Sequence, residues 1–371
     1  MTLRPRKVLY VTAGLRGGGA EAMLTRLATA KPGVADEIVV VSLLPAEAHV
    51  ARLRAAGITV VELGFDRIGG AAVGLVRLAK FIADTRPDIV QGWMYHGDLA
   101  ALLALVMSGR RKRTILIWSI RCSDMDLRRY GPGLRLAVRA CTLLSRWPDL
   151  VTANSAAGLQ FHLGLGYRPR RVEVVANGID VDEFKPDAAA RRAVRAELGM
   201  AEDAIVLAHV ARVDPMKDHD TFLAAMRQLP ELSALLVGAG TQALPAAGNL
   251  VRLGRRQDVA RLLAAADFVV SSSRFGEGFS NALAEGMACG LPAVTTNVGD
   301  ATHIVGDTGL VVAPGDPAAL AEALRTLAAE PPAARAARGR RARARIVENF
   351  SLAEAVRRHV ELYAALASAR P

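Results

Sequence analysis

Short apolar runs rich in β-branched residues alternate with helical stretches along the whole chain, and this alternation constrains the fold more than any other feature. Runs such as 38–43, 89–93 and 205–213 are apolar at consecutive positions. Such runs are typical of strands that are buried on both faces, in parallel sheets covered by helices. Because the alternation occurs in both halves, it predicts two doubly wound α/β domains.

The length of 371 residues also suits two domains, and the joint between them is predicted near residues 177–204. There a strand ends at Asn177-Gly178, and Pro186 opens a helix rich in alanine and arginine. We assign 1–180 to an N-terminal domain, 181–350 to a C-terminal domain and 351–371 to a C-terminal helix.

Composition narrows the class of protein. The basic N-terminus runs directly into a short strand and a glycine turn, so it does not resemble a signal peptide. The longest charge-free apolar run, 99–109, is too short to span a bilayer. Cys122, Cys141 and Cys289 lack metal-ligand or redox spacing. We therefore expect a cytoplasmic protein.

The stretch 271–300 carries the strongest functional pattern. A β-rich run breaks at Gly276-Glu277-Gly278, and 279–289 reads as a helix followed by a second strand. The free N–H groups and dipole of such a helix start can hold a phosphate. Glu277 lies in the turn and Glu285 two helical turns on, where the small residues Ala282 and Gly286 leave room for a ligand. A plain βαβ unit with one capping and one solvated glutamate is the alternative.

A basic pair follows the first strand of the second half. Arg212 and Lys217 could converge on one anion, the guanidinium fixing geometry and the ammonium adding point charge. Beside the glycine turn they would form a clamp for a diphosphate, and would stabilise the charge that grows on such a leaving group.

Two loops of the N-terminal half are further candidates. Glycines at 17–19 follow the first strand and open a helix, so a ligand's phosphate or sugar could approach the backbone closely, although a tight turn is the alternative. No acidic residue ends the second strand, which argues against a dinucleotide site. His96 follows the fourth strand, where loops of an open sheet line the ligand crevice. A lone loop histidine is usually structural.

The net charge of +11 lies entirely in residues 1–180, which hold 25 Lys+Arg against 14 Asp+Glu. Residues 109–146 alone hold 10 basic and 2 acidic residues. In 134–146 an apolar stripe runs beside Arg135 and Arg139, which suits an anionic bilayer but also an ordinary surface helix. Nucleic acid is disfavoured because aromatic residues are scarce. The predicted membrane or acceptor surface comprises Arg110, Arg111, Lys112, Arg113, Arg135 and Arg139.

Together these patterns resemble the retaining glycosyltransferases of family four, which have the GT-B fold and the E-x7-E signature. The signature is Glu277-Gly-Phe-Ser-Asn-Ala-Leu-Ala-Glu285, and the basic pair and the glycine loop resemble those of the family. The resemblance spans essentially the whole chain. It implies two Rossmann-like domains facing a central cleft, with the C-terminal helix crossing back to the N-terminal domain.

The resemblance also implies roles for single residues. Glu277 would contact the donor sugar, Glu285 the ribose, and Arg212 with Lys217 the diphosphate; His96 resembles the active-site histidine. Gln91 stands near it where relatives often have a further histidine, which puts the acceptor contacts in doubt. The implied nucleotide-sugar site comprises Gly18, Gly19, Arg212, Lys217, Gly278, Phe279, Ser280, Asn281 and Glu285.

The activity implied by the resemblance is retaining, metal-independent transfer of a hexosyl or N-acetylhexosaminyl group, with no cofactor. The donor would be a nucleotide sugar, UDP-linked before GDP-linked. The acceptor would be a glycan or polyprenyl-linked glycan at the inner face of the cytoplasmic membrane, as in polysaccharide and lipopolysaccharide biosynthesis. A nucleotide-sugar epimerase and an inactive sugar- or lipid-binding module are the alternatives.

Overall fold

The computed structural model describes residues 5–15, 18–30, 34–45, 49–66, 69–125 and 131–369. The chain divides into two compact units. The first unit comprises Met1–Gly178 together with Leu352–Pro371, and the second unit comprises Ile179–Ser351. The boundary therefore lies two residues before the predicted one.

The first unit is built on a seven-stranded parallel sheet with the order β3-β2-β1-β4-β5-β6-β7. Its strands are β1 (Lys7–Thr12), β2 (Glu37–Ser42), β3 (Thr59–Glu62), β4 (Ile89–Trp93), β5 (Ile115–Ile120), β6 (Leu150–Ala153) and β7 (Val172–Val174). Its helices are α1 (Gly19–Thr29), α2 (Val50–Ala55), α3 (Gly70–Thr85), α4 (Met94–Met107), α5 (Pro132–Leu144), α6 (Ala156–Gly164) and α14 (Leu352–Ser368).

The second unit repeats this plan with a six-stranded parallel sheet, ordered β10-β9-β8-β11-β12-β13. Its strands are β8 (Val206–Val210), β9 (Ser233–Val237), β10 (Leu250–Gly254), β11 (Phe268–Ser271), β12 (Ala293–Thr296) and β13 (Leu310–Val312). Its helices are α7 (Ala188–Glu197), α8 (His219–Met226), α9 (Val259–Ala264), α10 (Asn281–Ala288), α11 (Ala301–Val305), α12 (Pro317–Ala329) and α13 (Pro332–Phe350).

In each sheet the strand order reverses next to the first strand of its unit, between β1 and β4 and between β8 and β11. Ligands of open α/β sheets bind outside the carboxyl ends of the strands at such a reversal. The loops after these four strands carry the glycine loop, His96, the basic pair and the glycine turn. The fold therefore puts every loop that the sequence singled out at the expected place in its own sheet.

The prediction of two parallel α/β domains is confirmed, whereas one strand was missed. Strand β10 lies at the edge of its sheet, is only partly buried and has Arg252 in its middle, so its sequence lacks the continuous apolar run of the other strands. The helix after the glycine turn begins at Asn281 rather than at 279, because Ser280 is its N-cap.

The C-terminal helix α14 belongs to the first unit and packs on its sheet through a buried polar contact. The hydroxyl of Tyr363 lies 3.1 Å from that of Tyr10 and donates to Oε1 of Gln91. Gln91 in turn donates from Nε2 to Ser119 Oγ at 2.8 Å. Gln91 is thus part of this structural network.

Removing the Tyr363 hydroxyl should destabilise the first unit. Tyr363→Phe leaves Oε1 of buried Gln91 without this donor, so we expect the free energy of unfolding to fall by about 1–3 kcal/mol. Tyr10→Phe is the matched control, because the Tyr10 hydroxyl contacts only that of Tyr363 among the hydrogen bonds of the described residues. Its smaller effect should be measurable by urea denaturation; equal losses in both variants would contradict the role given to Gln91.

Candidate functional site

The glycine turn of the second unit joins β11 to α10 at the carboxyl edge of the sheet. Gly276 has φ of 77°, a conformation that favours glycine. Phe279 and Ser280 are buried, and Ser280 caps α10 from an extended backbone conformation without a side-chain hydrogen bond. The N–H groups at the start of α10 therefore face the turn, as an anion site requires.

A second glycine, which sequence reasoning missed, shapes this turn from outside. Gly299, in the loop after β12, has φ of 61°, and a Cβ there would lie 2.0 Å from the carbonyl oxygen of Glu277. The next residue, Asp300, donates its N–H to Gly278 O at 3.0 Å. The two loops thus fit together closely, and no residue with a side chain can replace Gly299 without moving the turn.

The structure brings together two residues that lie 60 positions apart. Lys217 Nζ contacts Glu277 Oε2, and these side chains are only 17% and 11% exposed. Ser273 Oγ donates to the same Glu277 oxygen at 3.2 Å. Glu277 Oε2 therefore accepts both contacts and holds the lysine beside the glycine turn. A phosphate arriving at this point would compete with Glu277 for the ammonium group.

Two buried hydrogen bonds in series, from His209 to Ser272 and from Ser272 to Lys217, fix the backbone of Lys217. The sequence did not reveal them. Ser272 Oγ donates to Lys217 O at 2.8 Å and lies 3.0 Å from Nε2 of His209. Because the single hydroxyl proton is used on the carbonyl, Nε2 of His209 must be the donor to Ser272. Burial, followed by the charges of His219 and Lys217, holds the pKa of His209 well below its ordinary value. The imidazole is thus neutral. The only feature of the sequence that could have pointed to His209 is that a polar residue stands inside an apolar strand.

Arg212 precedes a 3₁₀ turn, Pro215–Lys217, and Lys217 is the last residue of that turn, but the two cations have different partners. Arg212 is half exposed and donates to Asp214 Oδ2 from Nε at 3.2 Å and from Nη2 at 2.9 Å. Asp214 Oδ1 accepts from Met216 N at 3.0 Å and so caps the turn. Each of the two cations is thus paired with a carboxylate, Arg212 with Asp214 and Lys217 with Glu277, and their convergence on one anion stays a prediction.

Glu285 lies in α10 at the predicted spacing. The prediction that its small neighbour Gly286 leaves room for a ligand, however, was wrong. Gly286 is buried against β11, and a Cβ there would lie 2.5 Å from Val269. Close packing of helix on sheet, rather than room for a ligand, therefore explains this glycine. Glu285 itself, the residue directly before Gly286 in α10, is partly buried.

In the first unit, His96 is exposed in the first turn of α4. Two glycines allow this helix start to pack closely on the sheet. A Cβ on Gly92 would lie 2.4 Å from Cα of Asp98, and one on Gly97 would lie 2.3 Å from Val11 O. Met94, before His96, has φ of 65°, a strained conformation of the kind that clusters at functional sites. Partial burial lowers the pKa of His96, so the ring is neutral at pH 7.

The glycine loop lies next to this strand end. Gly18 caps α1, Gly19 is its first residue, and Gly17 lies outside the described residues. Trp93, the last residue of β4, donates from Nε1 to Ala20 O at 2.9 Å. The loop and the turn that carries His96 are therefore tied together within the first unit.

The basic surface of the first unit differs from the predicted one in two respects. Arg111 is engaged with Asp149 at 3.2 Å and with the carbonyl oxygen of Trp147, so it is not free for a partner. The apolar stripe of α5 does not face outward, since its members pack in the core; these are Leu134, Ala137, Val138, Cys141 and Leu144. Arg110 is partly buried, and the exposed cations of the predicted set are Lys112, Arg113, Arg135 and Arg139.

Two kinds of feature are absent from the part of the chain that the structure describes. No group of three or more His, Cys, Asp and Glu side chains in that part of the chain could hold a metal ion. No helix in that part is long and apolar enough to cross a membrane.

Replacing Gly299 should damage the glycine turn more than backbone strain alone can. Gly299→Ala and the control Gly57→Ala both place alanine at a positive φ, at a cost of about 1 kcal/mol each. A Cβ at Gly57 meets nothing within 4 Å, whereas one at Gly299 meets the turn. We expect a clearly larger loss of stability for Gly299→Ala in thermal unfolding; equal losses would contradict the close fit of the two loops.

Two family models match the chain. The model described as "Glycosyltransferase Family 4" matches residues 17–183, and the one described as "Glycosyl transferases group 1" matches residues 204–330. Among curated proteins, D-inositol 3-phosphate glycosyltransferase of Mycobacterium sp. (strain KMS) is 35% identical over 162 residues. That match covers 39% of this chain and 36% of the relative, so the chain spans about a third of that protein.

Similar solved structures cover nearly the whole chain. HepE of Anabaena, in complex with UDP-glucose, has a TM-score of 0.84 and 24% identity, and the match covers 97% of this chain and 99% of HepE. WaaG, a glycosyltransferase involved in lipopolysaccharide biosynthesis, has a TM-score of 0.73 and 18% identity over 96% of this chain and 99% of its own. The two parallel sheets and these structural matches show that the chain has the GT-B fold, and glycosyltransferase family models match a segment of each half of the chain.

Proposed function

We propose that this protein is a retaining glycosyltransferase that moves a hexosyl or N-acetylhexosaminyl group from a UDP-sugar to a glycan or lipid-linked acceptor. The observation that carries the proposal is the contact of Lys217 with Glu277 beside the glycine turn and the start of α10. It joins a cation, a carboxylate and a helix N-terminus in one small region, which suits a phosphorylated sugar. HepE, which shares the fold, was solved with UDP-glucose bound.

On the donor side, the diphosphate would take Lys217 from Glu277, and the N–H groups of Phe279 and Ser280 would add hydrogen bonds. Glu277 would then be free to accept from sugar hydroxyls, so one carboxylate serves as a placeholder before binding and as a sugar ligand after it. Arg212 would leave Asp214 for the same diphosphate. Glu285 would bind the ribose, and the remaining contacts would come from Gly18, Gly19, Gly278 and Asn281.

In the transfer step, negative charge grows on the departing UDP, and Lys217 and Arg212 would stabilise it. These two cations supply the charge that a metal ion supplies elsewhere, so the proposal requires no metal and no cofactor. The acceptor hydroxyl would attack from the face that UDP leaves, and the departing phosphate would take its proton, which retains the anomeric configuration. His96, neutral at pH 7, would donate a hydrogen bond to the reacting sugar.

On the acceptor side, the proposed substrate is a glycan or polyprenyl-linked glycan of polysaccharide or lipopolysaccharide biosynthesis at the inner face of the cytoplasmic membrane. The excess charge of the first unit supports an anionic partner there, with Lys112, Arg113, Arg135 and Arg139 exposed. WaaG, which shares the fold, is involved in lipopolysaccharide biosynthesis.

Lys217→Ala should weaken binding of UDP by at least about tenfold, because a charged hydrogen bond to phosphate is lost. Binding is measured by calorimetry, with UDP as the probe. Lys185→Ala removes an exposed lysine of the same unit and serves as the control, with no expected change. Unchanged UDP affinity in Lys217→Ala, or no UDP binding by the wild-type chain, would overturn the proposed donor site.

His96→Ala should lower kcat for sugar transfer by about a hundredfold while leaving UDP affinity unchanged, because the histidine acts on the reacting sugar. Because the pKa of His96 lies below the ordinary histidine value, the charge of its ring does not change around neutrality. The wild-type rate should therefore be flat around neutrality and decline with acidification only below pH 6.5, the ordinary value for histidine. A decline that begins above that value, or an active His96→Ala variant, would contradict this role. The anomeric configuration of the product, read by NMR, tests retention.

A further inference from the structure

An open surface pocket of about 390 Å³ in the first unit is lined by Arg146, Arg168, Pro169 and Arg170. Arg146 follows α5, and the other three lie in the loop before β7. Arg168 fixes this loop: its N–H donates to Ser145 Oγ at 2.8 Å, and its Nη1 donates to the carbonyl of Tyr167 at 2.9 Å. The pocket wall is therefore a defined structure rather than a chance meeting of side chains.

The pocket carries three positive charges without compensation. Within the described residues, the ion pair on this loop joins Arg171 to Glu173, and none involves the three arginines of the pocket. All three arginines are exposed, so water and salt weaken the repulsion between their guanidinium groups, and an anion bound between them would remove what is left of it. Guanidinium groups bind phosphate through paired hydrogen bonds, so a phosphate group is the ligand that suits this pocket.

Large apolar side chains are exposed on α5, which precedes Arg146, and at Trp147, which follows it. Leu136 is 69% exposed and Leu143 is 83% exposed, and their spacing of seven residues places them on one face of α5 with Arg139 between them. Trp147, next to Arg146, is 51% exposed. These are not the residues of the predicted apolar stripe, which is buried; they project from the opposite, outward face.

The neighbouring helix extends this surface. α4 packs against α5, and it ends in Val106 and Met107, which are about half exposed. Arg111, which follows α4, is bonded to the carbonyl oxygen of Trp147, so the two ends meet. Exposed leucine and tryptophan side chains beside arginines are typical of surfaces that lie in the boundary between lipid headgroups and acyl chains.

We propose that the pocket of Arg146, Arg168 and Arg170 binds the phosphate of an anionic phospholipid headgroup while Leu136, Leu143 and Trp147 enter the bilayer surface. The inference deepens the proposed function and rests on it, because the proposed lipid-linked acceptor is the reason for this protein to approach a bilayer. A soluble phosphate would account for the arginines but not for leucines exposed to this degree. The combination of charge and apolar surface favours the bilayer, and it fixes which face of the first unit lies on it.

The test is flotation of the full-length protein with vesicles. Three compositions are compared: phosphatidylcholine alone, phosphatidylcholine with phosphatidylglycerol, and phosphatidylcholine with oleate at equal surface charge. The wild type should prefer phosphatidylglycerol. Arg146→Gln/Arg170→Gln should lower that partition coefficient by about tenfold and remove the preference over oleate, since each basic residue near an anionic surface contributes to binding. Arg192→Gln/Arg227→Gln loses the same charge from exposed positions of the second unit and should bind as the wild type.

Two further variants separate the parts of the proposal. Leu136→Gln/Leu143→Gln should weaken binding to every anionic vesicle, because the apolar contribution is lost. Arg135→Glu/Arg139→Glu should weaken it without changing the preference for phosphatidylglycerol over oleate. UDP affinity, measured in parallel, should stay that of the wild type in all variants, which also shows that they are folded.

The outcomes are distinct. Equal binding of wild type to phosphatidylglycerol and oleate, or an unaltered preference in the Arg146→Gln/Arg170→Gln variant, overturns the headgroup pocket while the membrane location stands. If that variant loses affinity for inorganic phosphate but not for vesicles, the ligand is a soluble phosphate and the lipid proposal is wrong. If the wild type binds no vesicle at all, the membrane location in the proposed function fails as well, whereas loss of UDP binding would concern only the donor site.

Discussion

Both sheets are parallel throughout, and this constraint places all the residues proposed to act in transfer. In a parallel sheet every strand ends at the same edge, so loops that are distant in sequence meet there. The reversal of strand order beside β1 and beside β8 opens a crevice at that edge in each unit. His96 and the glycine loop use the first crevice, and Lys217 and Glu277 use the second. The repeated plan means that the proposed acceptor side and the proposed donor side rest on the same kind of sheet edge.

Within the second unit, the loops at this edge are held by few but well-buried polar contacts. The carbonyl of Lys217 is fixed by Ser272, Ser272 is fixed by His209, and the ammonium group is fixed by Glu277. A partly buried cation without such partners would be costly. The arrangement keeps Lys217 ordered and close to the glycine turn, where the proposed diphosphate would displace Glu277 from it. Electrostatic stabilisation of a leaving group depends on charges that are already in place.

The surface of the first unit has two chemically different regions. Its sheet edge carries His96, whereas the outward faces of α4 and α5 combine arginines with exposed leucine, valine and tryptophan side chains. The stripe of α5 that looked suited to a bilayer is used for packing, and Arg111 is used to hold the chain near Trp147. The positive balance of residues 1–180 is thus shared between structure and surface, and only its exposed part is left for a partner.

Much of the fold could be read from the sequence, because a buried strand and an amphipathic helix are recorded in local patterns. The paired domains, the glycine turn, the basic pair and the position of His96 all follow from residues close together in the chain. Edge strand β10 could not be predicted because partial burial leaves no apolar run. Four other features could not be predicted because they join segments that are remote in sequence. They are the fit of Gly299 against the glycine turn, the hydrogen bond of His209 with Ser272, the packing of Gly286 on Val269 and the hydrogen bond of Tyr363 to Gln91. The order of the residues by itself therefore determined which elements form and where their loops begin. Only the tertiary structure decided which of those loops touch and which face of α5 is buried, because both depend on contacts between distant segments.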